Sequence, residues 1–259
     1  MRRTSTLHAS IVLTATLSAF VAARPGVTAA QAPTPATPPT PRAAAPIDLT
    51  GYWVSVVTED WRWRMLTPPK GDFASVPLNA EGIKVGNTWD PANAATDGCK
   101  AYGAAAVMRE PGRLHITWDN DRQLRIETDA GAQIRLLIFD KDAKPAGART
   151  WQGLSIAGWE TFAARGGAVR GQGPSRVGSL KVTTTNLRAG YLRKNGAPYS
   201  DATVMTEHFD RLASSGSEWL VVITQIDDPR YLNQPFLTST HFKREPDGAK
   251  WAPSPCEKK

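Results

Sequence analysis

Glu207 is the acidic residue whose setting is most suited to chemistry. It lies in the alternating segment TVMTEHF, where strand periodicity places it on one face with Met205 and Phe209. A carboxylic acid among apolar side chains either has a raised pKa, as a general acid or base requires, or binds an arginine. Glu207 is therefore a candidate for catalysis and also for a buried ion pair.

The ion pair would give Glu207 a structural role. Arginine binds carboxylates through two parallel hydrogen bonds, and the candidate partners are Arg64 and Arg135. Glu160, which follows Trp159 where a predicted strand ends, raises the same question.

Three further side chains are candidates to act with Glu207 as acids or bases. Tyr199 and Asp201 end the long polar loop 191–201, which is typical of a loop at the mouth of a barrel. His115 lies in a predicted strand, and histidine is the commonest general acid or base in enzymes. The alternative is that the loop is solvated and only turns the chain.

Histidine spacing gives no support for a metal site. Outside the N-terminal segment the chain carries three histidines (His115, His208 and His241), and none forms a His-x-His or His-x-x-x-His pair. The glycine-rich stretch 166–174 does not join a strand to a helix at phosphate-loop spacing, and 153–157 (GLSIA) lacks the last glycine of a nucleophile elbow. We therefore predict no metal and no cofactor.

Nine tryptophans make aromatic binding the other chemistry to consider. The segment 61–65 (WRWRM) is typical of a strand with two tryptophans and a methionine on one face and two arginines on the other. Such aromatic side chains either line a cavity for an apolar, aromatic or sugar ligand or fill a core. The candidate ligand-binding residues are Trp53, Trp61, Trp63, Arg64, Tyr102, Trp118, Trp159 and Tyr191.

The elements that must position these residues are predicted to be strands. Short alternating runs separated by turn residues recur from residue 113 onward, and others lie near 51–57 and 153–160. About eight or nine strands with few helices favour an all-β, mostly antiparallel barrel, because closure removes unpaired edges; a β-sandwich is the alternative. The one helix candidate is 79–89.

The N-terminal region has the features of a secretory signal and a linker. Two arginines precede an apolar stretch, 11–23, and a small-residue cleavage site ends at Ala29, which predicts a signal peptide over 1–29. Residues 30–46 contain six prolines and little apolar bulk, which predicts an extended, disordered linker. We expect a single domain over 47–259, in the periplasm or secreted.

The charge pattern argues against nucleic acid as a partner. The chain has 31 Lys and Arg against 24 Asp and Glu, a net charge of +7, and loss of 1–29 removes three arginines and no acid, which leaves +4. The remaining basic residues lie near acids along the chain, as on a solvated surface. We expect a small-molecule partner, no nucleic acid, and no membrane span after processing.

Both cysteines, Cys99 and Cys256, follow the predicted cleavage site, and an exported protein with two cysteines is expected to pair them. The alternatives are two free thiols or a thiolate nucleophile. A nucleophile is disfavoured because Cys256 lies in a Pro-Ser-Pro-Cys tail and no histidine is near either cysteine in sequence.

Two resemblances add to this picture. The segment 48–53 (DLTGYW) resembles the Gly-x-Trp first strand of lipocalins and their calycin relatives, which implies a barrel with Trp53 packed across its closed end. The chain from about Cys99 to its C-terminus is similar to a large group of uncharacterised exported bacterial proteins. That second resemblance brings no established activity with it.

Five motifs carry the second resemblance. They are Cys-x-x-Tyr/Pro-Gly, Trp-x-Gly-x-Ser-x-x-x-Trp-Glu, Leu-x-Val-x-Thr-Thr, His-Ser-Asp/Glu and Thr-Glu-x-Phe. In this chain they stand at 99–103, 151–160, 180–185, 198–201 and 206–209. Tyr199 replaces the histidine that many members of the group carry, which argues against histidine-based chemistry at that turn.

Together these features favour an exported, non-catalytic, calycin-like protein that binds a small apolar or aromatic molecule in an aromatic-lined barrel. The sequence offers a barrel and aromatic residues but no recognisable nucleophile, metal set or cofactor loop. The alternative is an exported enzyme (a lyase, isomerase or hydrolase) that uses acid–base residues in the barrel. A third possibility is an envelope protein with a filled core.

Overall fold

The computed structural model describes residues 38–92, 98–163 and 176–256, which belong to one folded unit. The predicted signal peptide, residues 30–37 of the predicted linker and the whole glycine-rich stretch 166–174 lie outside the described residues. Thirteen strands lie within the described ranges. In chain order they are β1 (Gly51–Val56), β2 (Arg113–Asn120), β3 (Gln123–Thr128), β4 (Ala130–Gly131), β5 (Ile134–Ile138), β6 (Leu154–Ala163), β7 (Arg176–Thr185), β8 (Gly190–Tyr191), β9 (Pro198–Tyr199), β10 (Val204–Ser214), β11 (Ser217–Asp227), β12 (Phe236–Glu245) and β13 (Ser254–Pro255).

Nine of these strands close a barrel in the order β1-β12-β11-β10-β7-β6-β5-β3-β2. The prediction of an all-β, mostly antiparallel barrel is confirmed. The pattern did not reveal that β5 and β6 run parallel, with Leu137 opposite Ser155. A parallel pair requires a longer connection than a hairpin, and residues 139–153 provide it.

Alternation along the strands fills the barrel interior. In β10, Met205, Glu207 and Phe209 are buried, while the residues between them are less so. All nine barrel strands contribute to the main core. Their core side chains are Trp53, Leu114, Ile116, Leu124, Ile126, Leu137, Ala157, Leu180, Val182, Phe209, Leu220, Val222 and Phe242.

One end of the barrel is covered by connecting segments that we call the cap. At this end β1, β3, β7 and β11 finish and the other barrel strands begin. The cap consists of residues 58–92, 98–110, 186–203 and 228–235. It has its own apolar cluster, in which Phe73, Leu192 and Leu232 pack with Met205 of β10. This cluster packs the connecting segments of the cap against one another and against the end of the barrel.

Three short α-helices lie in the described part of the cap: α1 (Trp61–Met65), α2 (Ala80–Gly86) and α3 (Ala104–Val107). Helix α2 confirms the helix predicted over 79–89, and Asn79 caps it by accepting a hydrogen bond from the Gly82 N–H at 2.9 Å. Helix α1 replaces the strand predicted over 61–65, so that prediction is wrong.

Cys99 and Cys256 form a disulfide, as predicted, with their Cα atoms 5.1 Å apart. It attaches the C-terminal tail to a 3-10 helix, Gly98–Tyr102, in the cap. The tail is also held by its backbone, because the Ser254 N–H donates to the Asp129 carbonyl at 2.8 Å. Residues 254–256 are therefore attached to the domain.

Residues 38–46, the last part of the predicted linker, include backbone groups that contact the barrel. The Pro41 carbonyl accepts a hydrogen bond from the Trp159 indole N–H at 2.8 Å, and the Arg42 N–H donates to the Asp121 carbonyl at 3.1 Å. The folded unit therefore begins before the predicted Ile47. The proline-rich composition did not predict these contacts. They are made by backbone groups, and the carbonyl group of a proline can still accept a hydrogen bond.

Candidate functional site

Helix α1 presents Arg64, rather than Trp61 and Met65, to the protein interior. Asp60 precedes the helix in the left-handed region, at φ 49°, and turns the chain away from β1. Trp61 is 66% exposed and Met65 56% exposed, whereas Arg64 is only 8% exposed. Over five residues the WRWRM pattern fits a strand and a single helical turn equally well, which is why the strand prediction failed.

Beside α1 the cap forms a cavity of about 150 Å³ that is open to solvent on the side of Met65 and Leu66. Three separate segments line it: residues 63–67, residues 109–110 just before β2, and residues 192–194 between β8 and β9. Trp63, Met65, Leu66 and Leu192 supply its apolar wall, and Arg64, Arg109, Glu110, Arg193 and Lys194 supply its charged wall. One small space thus adjoins apolar side chains, four cations and one acid.

Arg109 is held rigidly in the charged wall. Its Nη2 donates to Asp60 Oδ2 at 2.7 Å, and its Nη1 lies 3.5 Å from Glu59 Oε1. Glu59 is fixed in turn, because the same oxygen accepts from the Ser239 N–H of β12 at 2.9 Å. The loop between β1 and α1 is therefore bound to Arg109 and, through Glu59, to β12.

Arg193 is fixed by the cap on the other side of the cavity. Its Nη1 donates to the Ala74 carbonyl at 2.6 Å, its Nη2 donates to the Ser75 hydroxyl, and its guanidinium lies 5.1 Å from the Trp63 ring centroid. Burial, with a contribution from Arg109, lowers the pKa of Arg193 to about 10. It remains a cation at neutral pH.

Lys194 pairs with the one acid that lines the cavity. Its Nζ lies 2.9 Å from Glu110 Oε2 and 5.2 Å from the Tyr102 ring centroid. Burial alone would lower the pKa of Lys194, but the Glu110 carboxylate outweighs this effect and raises it.

Arg64 is the unusual member of the set. Its Nε donates to the Arg109 carbonyl at 2.8 Å. Its Nη1 and Nη2 are buried and, among the residues that the structure describes, have no hydrogen-bond partner. Burial lowers the pKa of Arg64 to about 10, and the neighbouring Arg109 cation adds to the shift. The site therefore contains a buried guanidinium whose outer edge is unsatisfied.

A second depression, of about 460 Å³, lies elsewhere on the cap. Its lining is uncharged and includes Val76, Pro77, Phe236 and Leu237. It contains no converging ionisable groups in the described ranges, so the smaller cavity is the stronger candidate for a specific site.

The predicted aromatic ligand residues separate into groups. Trp63 and Arg64 line the cavity, and Tyr102 adjoins it through Lys194. Trp61 is exposed instead. Tyr191 lies against Lys100, whose Nζ is 5.3 Å from the centroid of its ring. None of these side chains lies in one site with the remaining three tryptophans of the prediction, Trp53, Trp118 and Trp159.

Those three tryptophans lie in the barrel. Trp53 is fully buried in the main core, where its indole N–H donates to the Leu49 carbonyl at 3.0 Å. Trp118 and Trp159 cluster with Phe139 at the barrel end opposite the cap, with centroid distances of 5.4 Å from Phe139 to each tryptophan. Both are partly buried and pack against the main core.

Glu207 lies inside the barrel and binds Arg135, one of its two predicted partners. Arg135 donates from Nη1 to Oε1 at 3.1 Å and from Nη2 to Oε2 at 2.6 Å, and both side chains are fully buried. The Thr184 hydroxyl lies 3.4 Å from the same Arg135 Nη2. The other proposed partner, Arg64, is not involved.

The other three acid–base candidates do not converge on Glu207. His115 alternates with the buried Leu114 and Ile116, so it faces outward, where it pairs with Glu127 at 3.0 Å; the expectation that it lies inside the barrel is wrong. Asp201 is exposed and lies 3.6 Å from Arg149. Tyr199 is buried, its hydroxyl lacks a hydrogen-bond partner within the described residues, and burial raises its pKa.

Sequence reasoning missed most of the charged wall. Arg193 and Lys194 lie in the loop 191–201, which was identified as a barrel-mouth loop by its tyrosines and aspartate rather than by these cations. Arg109 and Glu110 lie far from that loop in sequence, and only the closed barrel brings the two segments together. Their spacing carries no motif that could have revealed the site.

The fold and the cavity define a class of protein, an all-β barrel with a capped end that holds a small, positively charged cavity. Comparisons with protein-family models, with curated proteins and with solved structures found no match.

No group of three or more His, Cys, Asp and Glu side chains in the described ranges is arranged to hold a metal ion. Within the same ranges no helix is long and apolar enough to cross a membrane.

Proposed function

We propose that this is an exported, calycin-like small-molecule-binding protein whose ligand occupies the cap cavity. The sequence favoured a ligand among aromatic residues inside the barrel. Side chains from all nine barrel strands pack into one core, so the cap offers the better space. The disulfide is consistent with an oxidising compartment such as the periplasm or the cell exterior.

The observation that carries this proposal is the composition of the cavity wall. Binding sites typically combine an apolar lining with a few polar groups that fix the orientation of the ligand. Here Trp63, Met65, Leu66 and Leu192 face the same space as four cations. A cavity of about 150 Å³ is the size that accommodates a benzene ring in a protein interior.

The alternative of an acid–base enzyme in the barrel has less support. Glu207 already forms two hydrogen bonds with Arg135, and His115 and Asp201 lie outside the interior. A general base must reach the proton that it removes, and these groups share no cavity among the residues described. Binding without turnover is the simpler function for this arrangement.

The proposal is tested by calorimetric titration with a panel of single-ring metabolites, both neutral and charged. We expect at least one to bind the wild-type protein, and Leu66→Trp to weaken that binding at least about tenfold by filling the cavity. Leu66 is 74% exposed, so the larger ring should not disturb folding.

Leu212→Trp is the matched control, since Leu212 is an exposed leucine on β10 and does not line the cavity. It should bind like the wild type. Equal binding by both variants would place the ligand elsewhere, and failure of the whole panel to bind would contradict the proposed function.

A further inference from the structure

We infer that the ligand of the cap cavity is a small organic monoanion, about one aromatic ring in size, whose carboxylate binds Nη1 and Nη2 of Arg64. This inference rests on the proposed function and names the ligand class of the same site. It starts from the unsatisfied edge of the Arg64 guanidinium.

Arg64 is held beside the cavity that it lines, with one edge of its guanidinium buried and without a hydrogen-bond partner in the described residues. Its Nε is used by the Arg109 carbonyl, and its burial and the 2.8 Å bond restrict the guanidinium. The remaining Nη1 and Nη2 form the pair of donors that binds a carboxylate through two parallel hydrogen bonds. A buried charge without such partners is destabilising, so an anion in the adjoining cavity would remove an existing cost.

The nearby acids of the cap already have other cations as partners. Glu59 and Asp60 bind Arg109, and Glu110 pairs with Lys194. In the described part of the chain, none of these carboxylates lies within ion-pair distance of Arg64. An internal acid therefore does not neutralise it by direct contact.

The charge balance indicates a monoanion. Four cations line the cavity (Arg64, Arg109, Arg193 and Lys194), and three carboxylates pair with members of that set (Glu59, Asp60 and Glu110). One positive charge is left over. A dianion would bring a second negative charge close to Glu110, which lines the same space.

The apolar wall defines the rest of the ligand. Trp63 and Leu192 lie beside the charged groups, and contact with them favours a ligand body that is apolar and flat. Inorganic phosphate or acetate would satisfy the guanidinium but would leave this wall without a partner. An aromatic carboxylate satisfies both walls, and benzoate is the simplest probe of that class.

The test compares benzoate, benzyl alcohol, acetate and phosphate by calorimetry with the full protein and two variants. Arg64→Met removes the guanidinium, and Arg62→Met is the matched control, since Arg62 lies on the same helix with its side chain 69% exposed. We expect benzoate to bind most tightly to the wild type and to Arg62→Met. Arg64→Met should weaken benzoate binding at least about tenfold, because charge-assisted hydrogen bonds are lost. Benzyl alcohol should bind the wild type more weakly than benzoate does, and it should bind Arg64→Met as well as it binds the wild type.

Arg64→Lys provides a second variant, because it keeps the charge but loses the two-pronged geometry; it should also weaken benzoate binding. Without ligand, Arg64→Met should be at least as stable as the wild type, since it removes an unsatisfied buried charge. If benzyl alcohol binds as tightly as benzoate, or if Arg64→Met leaves benzoate binding unchanged, the inference is wrong while the proposed function stands. If acetate or phosphate binds as tightly as benzoate, the claim that the ligand has an aromatic body is wrong. If none of the four probes binds, the inference is wrong, and the wider metabolite panel still decides the proposed function.

Discussion

At the scale of single residues, Glu207 shows how alternation and elementary electrostatics predict a contact. The pattern TVMTEHF placed its carboxylate on the inward face, where a buried carboxylate must be neutral, bound to an arginine or open to a wet cavity. Arg135 fulfils that requirement with two hydrogen bonds. The sequence could not choose between Arg135 and Arg64, because only the closed barrel places β5 across the interior from β10.

Glu207→Gln should lower the free energy of unfolding by about 1–3 kcal/mol, because it leaves part of the buried Arg135 guanidinium unsatisfied. Urea denaturation of the wild type and the variant measures the difference. A structural pair also predicts that ligand binding in the cap is unaffected, since neither residue lines the cavity.

The control is the double variant Arg135→Met/Glu207→Met. Apolar side chains of similar length remove both charges together, so much of the lost stability should return. If Glu207→Gln instead raised stability and reduced binding or activity, the carboxylate would have a functional role.

At the scale of elements, the cavity depends on turns whose conformation the sequence does not reveal. Helix α1 was predicted as a strand because five alternating residues carry no information on helix or strand, and the left-handed Asp60 that redirects the chain has no distinctive neighbour. The polar turn 191–201 was recognisable. Which of its side chains face the cavity is decided by its packing on the cap.

Gly196 sets the turn that carries Arg193 and Lys194. Its φ is +85°, and a Cβ there would lie 2.2 Å from the Cβ of Trp89. Gly196→Ala should therefore cost about 2 kcal/mol or more through backbone strain and the clash, and should weaken ligand binding as Arg193 and Lys194 shift. Thermal unfolding and calorimetry measure the two effects.

Gly158→Ala is the matched control for this substitution. Gly158 lies in β6, and a Cβ there would meet no atom within 4 Å. The variant should change stability by no more than about 1 kcal/mol and leave binding intact. Similar losses in both variants would mean that glycine content, rather than the conformation of this turn, is the cause.

At the scale of the whole molecule, the barrel and its closure were predictable, but the direction of one strand pairing was not. Alternating runs and turn residues identify strands locally, which is why the barrel strands were located from the sequence. The parallel pairing of β5 and β6 and the contacts of residues 38–46 depend on distant partners. Local periodicity contains no signal for either, so both emerge only from the structure.

The disulfide links residues 157 positions apart and should contribute strongly to stability. On the chain-entropy model, a loop of this length is worth up to about 5 kcal/mol, so Cys99→Ser/Cys256→Ser should lose about 2–5 kcal/mol in chemical denaturation. Wild-type protein unfolded with a reductant present should match the variant. Equal midpoints for the oxidised wild type and the variant would show that the bond adds nothing to the hydrogen bonds of the tail.

The position of β1 in the barrel affects how the protein is made. β1 pairs with β2 on one side and with β12 on the other, so its second partner leaves the ribosome only after all the other barrel strands. Until then a nascent chain has two open strand edges, at β1 and at the most recent strand, and open edges invite pairing between chains. The ring of strands can be completed only once β12 has been made, so the barrel has a high contact order and closes after its other strand pairings.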